Sequence, residues 1–294
     1  MQRLRVPIVS VLAIPGLLWA AAAGAQQPAP SQQEYVTPPH AAVPVVLPKT
    51  PDLDPKALAI LKAASAKLAA AHTLSFTATA TYESPARTLQ PLAYMTRSRV
   101  LVQRPDKLQV ITEGDGPATE FYYNGKTMMA LSPQDDYVAV SDAPPTIDAM
   151  LKFAYQTAAI TFPFDDVISS DPYAELSPDL KLAFVVGQSH VVGNTVTDIV
   201  AIASEMAQAQ IWIGAEDKLP RMIHVIYFNE PGNFRHVVEF SDWKLNVDPP
   251  AGSFTSARLA TAKRIKFASP DAGLAAPASA APAPAAPAAA PQKK

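Results

Sequence analysis

The sequence predicts an α+β fold: a large curled antiparallel sheet of about eleven strands, an incomplete barrel, with helices covering its concave face. Three observations predict it. One helix-period segment opens the core of the chain. Strand-period segments follow, six before a second helical block and five after it. Short turn sequences join them, which makes sequential neighbours antiparallel, and a sheet that wide must curl.

The first helix opens at Asp54-Pro55. Asp accepts bonds from the first helical amides, and Pro tolerates the first helical position. Leu58, Leu61, Ser65 and Leu68 recur at helical spacing, so the helix is expected over 55–71 with one apolar stripe. The period then changes to two. Leu74, Phe76, Ala78, Ala80 and Tyr82 alternate with Ser75, Thr77, Thr79 and Thr81, as in a strand with one buried face. Further strands are expected at 92–103, 107–113, 119–124, 127–131 and 137–140. Arg104-Pro105-Asp106, Gly114-Asp115-Gly116-Pro117, Asn124-Gly125 and Ser132-Pro133 supply the turns between them.

Thr146 is placed to cap a helix carrying Ile147, Met150, Leu151 and Ala154 on one face. Short helices are expected at 164–169 and 172–176, the second starting with Asp171-Pro172. Strands resume at 183–192, 195–203, 209–214, 221–228 and 235–243. Gly193-Asn194 turns the first hairpin of this set, and Glu230-Pro231-Gly232-Asn233 the last. Helices over a concave sheet leave either a packed core or an apolar cavity, and periodicity does not distinguish the two.

The ends of the 294-residue chain differ from this core. Arg3 and Arg5 precede an apolar run from Val6 to Ala23, followed by Ala23-Gly24-Ala25 and the polar Gln26 and Gln27. That is the pattern of a secretory signal, residues 1–25, cleaved after Ala25 to give an exported protein. Residues 26–53 read as a Pro-rich linker, 54–268 as the domain, and 269–294 as a disordered Ala/Pro-rich tail. Twelve Ala and six Pro occupy 18 of the last 25 positions. Elsewhere no run approaches about 18 apolar residues, so no transmembrane segment is expected after signal cleavage.

The chain has no cysteine, which excludes disulfides, thiolate metal ligands, a Cys nucleophile and a thiol acceptor for a lipid anchor. Cleavage would remove two of 24 basic residues and leave 22 against 26 acidic, a net charge of −4. Such a balance lacks the basic patch of a nucleic-acid binder, so no nucleic-acid partner is expected.

Chemical motifs are sparse. There is no Gly-rich nucleotide cradle, no Gly-x-Ser-x-Gly elbow and no His-Glu-x-x-His pair, so neither a cofactor, nor a metal, nor a catalytic residue is expected. Ser241-Asp242-Trp243-Lys244 has Ser-x-x-Lys spacing but ends a strand and lacks the partner motifs. If the last hairpin pivots on Pro231, His224 and His236 fall diagonally on one face, as a cross-strand pair. The doublets Asp135-Asp136, Asp165-Asp166 and Glu216-Asp217 read as solvated loop charges. More suggestive is the density of aromatic residues and Met, which suit adaptable apolar surfaces. The candidates for a ligand cavity are Phe76, Tyr82, Phe121, Tyr123, Met128, Met150, Leu151, Phe162, Ile211, Ile213, Tyr227 and Phe240.

Several blocks carry a resemblance to a family. They are Arg104-Pro105-Asp106-Lys107-Leu108, Phe121-Tyr122-Tyr123-Asn124-Gly125-Lys126, Pro144-Pro145-Thr146-Ile147-Asp148, Ser170-Asp171-Pro172-Tyr173, Ile211-Trp212-Ile213 with Lys218-Leu219-Pro220-Arg221, and Ser241-Asp242-Trp243-Lys244-Leu245-Asn246. In that order, over about residues 54 to 267, they resemble a bacterial family of predicted periplasmic proteins of unknown function. That family is similar in fold to the LolA/LolB lipoprotein carriers, which are incomplete antiparallel barrels closed by helices over an apolar cavity that holds acyl chains. The resemblance implies a LolA/LolB-like fold and no catalytic residues. It implies a non-catalytic carrier or binder whose partner is an apolar small molecule, lipid or lipoprotein, with the block from Ile147 to Phe164 as its lid. The alternative on the same fold is a protein–protein interaction or sensing module with an envelope protein partner.

Overall fold

A computed structural model describes residues 46–85, 90–228 and 233–268. The expected signal, most of the linker, the tail and the turn residues Glu230, Pro231 and Gly232 lie outside the described residues. The helix α1 (Pro55–Ala69) follows a short strand β1 (Asp52–Leu53). Six strands come next: β2 (Thr73–Pro85), β3 (Pro91–Gln103), β4 (Lys107–Gly114), β5 (Thr119–Tyr123), β6 (Thr127–Ser132) and β7 (Tyr137–Asp142). The central helices are α2 (Ile147–Ala158), α3 (Asp165–Ile168) and α4 (Pro172–Leu176). The strands β8 (Leu182–Ser189), β9 (Thr197–Ala203), β10 (Ala207–Gly214), β11 (Pro220–Tyr227), β12 (Arg235–Leu245) and β13 (Lys263–Ile265) complete the chain.

All thirteen strands form one open sheet in the order β1-β8-β9-β10-β11-β12-β2-β3-β4-β5-β6-β7-β13. The eleven expected strands are present, and the two additional ones are edge strands. β1 pairs with β8 and β13 with β7, both parallel. Two and three residues are too few to display a period, so the sequence pattern carries no trace of them. The other pairs are antiparallel. β12 pairs with β2, and that contact joins the two meanders into a single curled surface.

Local chemistry fixes the element boundaries. The Asp54 carboxylate accepts from the Lys56 amide at 2.8 Å, and Pro55 occupies the first helical turn. Thr146 accepts from the Ala149 amide at 3.3 Å. In the β5–β6 turn the Asn124 side chain accepts from the amides of Lys126 and Thr127. Gly125 there has φ +90°, and a Cβ would come within 2.5 Å of the Asp106 carboxylate, so only glycine fits.

The alternation in β2 buries Leu74, Phe76, Ala78 and Ala80 on the concave face. Two apolar regions lie there. The first gathers Phe76, Val100, Leu108, Phe121, Met128 and Phe240 beneath Met150 and Ala154 of α2 and Val167 and Ile168 of α3. Its rings interlock edge to face, with Phe76 5.6 Å from Phe164 and Phe121 5.2 Å from Phe162. The second packs Ala57, Ile60, Leu61 and Ala64 of α1 against Ala183, Val200, Ile202 and Ile213. The first region is filled. Beside the second there is space.

Candidate functional site

The space is a cavity of about 200 Å³ on the concave side of β9, β10 and β11. Strand register sets its floor. Ala209 stands opposite Ile202 on one side and Val225 on the other, and Ile211 opposite Val200 and Ile223. Opposed residues of an antiparallel pair share a face, so these side chains all point inward. Alanines at 64, 203, 207 and 209 line the space and leave room that larger residues would close.

Its roof is made by α1 and α4, with α3 at one side. Leu61, Ala64, Ser65 and Leu68 come from α1, Pro172, Tyr173 and Leu176 from α4, and Asp166 and Val167 from α3. A polar link holds the two roof helices together. The Ser65 hydroxyl donates to the Asp171 carboxylate at 3.0 Å and accepts from the Tyr173 amide at 3.0 Å. Asp171 also accepts from the Ala174 amide, and these bonds hold its carboxyl below the usual carboxylate range. Arg104 steadies α3 from below: its guanidinium donates to the carbonyls of Ile168 at 3.0 Å and Ser169 at 2.8 Å.

Acidic groups stand beside the mouth. Burial pushes the Asp165 carboxyl up to about 7, with a smaller contribution from Asp166, and its Oδ1 is buried with no hydrogen-bond partner among the described residues. Asp166 opens onto the cavity mouth, yet protein surrounds it closely enough to raise its carboxyl, helped by the charge on Glu175. The expectation of solvated charges is therefore corrected for Asp165, which is partly buried, while Asp166 is exposed; both stand in the first turn of α3, inside the helix expected over 164–169.

The twelve candidate residues divide between the two regions. Ile211, Ile213 and Tyr227 line the cavity. Phe76, Phe121, Tyr123, Met128, Met150 and Phe240 are buried in the filled region, with Leu151 and Phe162 packed against it. Tyr123 donates its hydroxyl to the carbonyl of Pro144. Tyr82 lies farther along the concave face, half-exposed, 5.7 Å from the Tyr94 ring and 6.4 Å from the His236 ring. The expected lid from Ile147 to Phe164 sits mainly on the filled region, and α1 and α4 cover the cavity. The α1 stripe was legible in the sequence as an apolar face. Nothing in the pattern said that α4 would meet it.

The histidine pairing is also corrected. His224 stands opposite Val237, and His236 opposite Val225. This is one residue away from a pivot on Pro231, so the two histidines point to opposite faces. His224 faces outward, where burial and the nearby Arg235 lower its pKa. His236 faces inward between Tyr82 and Tyr227. At Ser241 the β12–β2 register shifts, and the hydroxyl donates to its neighbour Asp242 at 3.1 Å. Among the described residues no group of three or more His, Cys, Asp or Glu is arranged to hold a metal ion. No described helix is long and apolar enough to cross a membrane.

A family model described as "Predicted periplasmic protein (DUF2092)" matches residues 57–268. No protein of curated function matches the chain. Three solved structures are among those similar to it. LprF from Mycobacterium bovis is 15% identical with a TM-score of 0.40, over 68% of this chain and 99% of that one. MucB of Pseudomonas aeruginosa, solved with MucA, is 15% identical with a TM-score of 0.37, over 69% of this chain and 61% of that one. A LolA superfamily protein from Nitrosomonas europaea is 12% identical with a TM-score of 0.30, over 68% of this chain and 97% of that one.

Proposed function

The chain belongs to this family of predicted periplasmic proteins, and on that premise we propose that it is a non-catalytic carrier or binder of an apolar ligand, a lipid or lipoprotein acyl chain, in the cell envelope. The observation that carries the reading is the cavity of about 200 Å³, walled by Leu61, Leu68, Ile202, Ile211 and Val225. An engineered apolar cavity of about 150 Å³ already takes benzene. This one has room for a segment of one alkyl chain. Each buried methylene contributes about 0.8 kcal/mol. Association costs at least about 4 kcal/mol, so net binding begins after about five methylenes. Affinity in that range is reversible, as delivery requires. Export through the N-terminal signal, with cleavage after Ala25, belongs to the same reading and is supported by Arg3, Arg5 and the apolar run behind them.

The test is uptake of N-phenyl-1-naphthylamine, an uncharged dye that fluoresces in apolar surroundings. Saturable binding that Ile211→Asp removes from a folded protein supports the reading. Absence of saturable binding, or binding indifferent to Ile211→Asp, contradicts it.

A second reading has its own observation. The outward face of β8 to β11 holds an apolar patch among Gln208, Gln210 and His224, where that of β2 is lined with Ser and Thr. It carries Phe184, 43% exposed, and Val186, 47% exposed, with Ile199, Trp212 and Met222 beside them. An exposed apolar sheet face suits a protein partner. Crosslinking in periplasmic extract that captures one envelope protein, and loses it in Phe184→Asp, supports this reading. An unchanged crosslinking pattern in that variant contradicts it.

A further inference from the structure

We infer that the cavity selects an amphiphile whose head is cationic, an ammonium group on a single alkyl chain. The inference rests on the carrier reading and names its ligand class. Asp166 is the one charged side chain in the lining, and it opens at the mouth. Two further acidic groups stand close: Glu175 on α4, whose charge acts on Asp166, and Asp165 next to it, which burial pushes up to about 7 so that it carries only part of a charge near neutral pH. Against them stand two ammonium groups: Lys152, 3.9 Å from Glu175 with both side chains largely exposed, and Lys62, on the ring of Tyr173. An exposed pair at that distance neutralises little. An anionic head entering this mouth would meet the Asp166 carboxylate as like charge, whereas a cationic head would pair with it.

The rings at the rim favour the same class. Tyr173 and Tyr227 both line the cavity. An ammonium is attracted to the face of a tyrosine ring within about 6 Å of its centroid. The Tyr173 ring already takes one: Lys62 Nζ lies 5.1 Å from its centroid. Carboxylate and aromatic rim over an apolar floor is the complement of an alkylammonium.

The experiment is displacement of bound N-phenyl-1-naphthylamine from the protein by three eight-carbon amphiphiles below their micelle concentrations. These are octyltrimethylammonium, octyl sulfate and uncharged octyl glucoside. The ammonium is expected to displace at a concentration about ten-fold below that of the sulfate, with the glucoside between them. Asp166→Asn should bring that ratio below about two-fold, and Glu175→Gln should reduce it by a smaller factor. Glu113→Gln, on exposed β4 away from the cavity, should leave the ratio unchanged. Equal or better displacement by octyl sulfate overturns the inference, as does a ratio that survives both Asp166→Asn and Glu175→Gln. In those cases the glucoside still displaces and the carrier reading stands. If the dye itself does not bind, both fall together.

Discussion

The Ser65 hydroxyl on α1 donates to the Asp171 carboxylate at the start of α4, 3.0 Å away across 106 residues of chain. This bond, with the Tyr173 amide donating back to Ser65, is the polar tie within the roof of the cavity. Ser65 itself is buried. Removing its hydroxyl leaves the Tyr173 amide short of an acceptor. Ser65→Ala should cost about 1 kcal/mol in urea unfolding. It should also speed amide hydrogen exchange across α4 while leaving β2 to β7 protected. Equal exchange in α4 of the two proteins would show that the tie does not hold the roof.

Filling the cavity should separate its role from that of the packed core. Ala209 lies on the floor between Ile202 and Val225. Ala209→Leu adds volume where space already exists, so it should change stability by less than about 1 kcal/mol in either direction. The same change should abolish dye uptake. A loss of several kcal/mol in thermal unfolding would mean that the space is closed in solution.

Arg104 opens the turn between β3 and β4 and holds the C-terminal end of α3 through two carbonyls. Bonds from a charged donor are worth about 1.5–3 kcal/mol each, less the hydration recovered on exposure. Arg104→Ala should therefore destabilise the protein by about 3 kcal/mol in urea titration. Arg104→Lys should recover less than half of that, because a single ammonium cannot bridge both carbonyls in the fork geometry of a guanidinium. Full recovery by lysine would contradict the bidentate role.

Asp165 gives stability a pH dependence of definite sign. Its folded carboxyl is pushed up to about 7 by burial, against about 3.9 in an unfolded chain. Between those values the folded protein holds a proton that the unfolded chain has released. The contribution of this group to stability therefore falls as pH rises from about 4 to about 7 and is level above. Asp165→Asn should remove that fall and raise stability at pH 8 by about 2 kcal/mol, after allowance for partial exposure. Urea midpoints at pH 5 and pH 8 read it directly. Parallel pH profiles for the two proteins would rule the mechanism out.

Much of this fold was legible in the sequence. The period-two alternation marks the buried face of β2 residue by residue from Leu74 to Ala80, and Asp54, Thr146 and Asp171 cap helices where their chemistry places them. Local rules do not reach β1 and β13. Each is short, parallel and defined only by the strand beside it. The histidine register failed for a related reason. A hairpin with an uncertain pivot is ambiguous by one residue, and one residue reverses the face. The site was legible in part. Ile211, Ile213 and Tyr227 are legible as cavity candidates from their strands, while Asp166, Ser65 and Tyr173 join them through tertiary contacts that no spacing encodes.

Native mass spectrometry of the protein purified from periplasmic extract without detergent tests the central claim most directly. A reproducible extra mass is expected on part of the population, released by organic extraction as a species with an alkyl chain and lost in Ala209→Leu. A bare protein mass throughout, with the dye also failing to bind the same preparation, would contradict it.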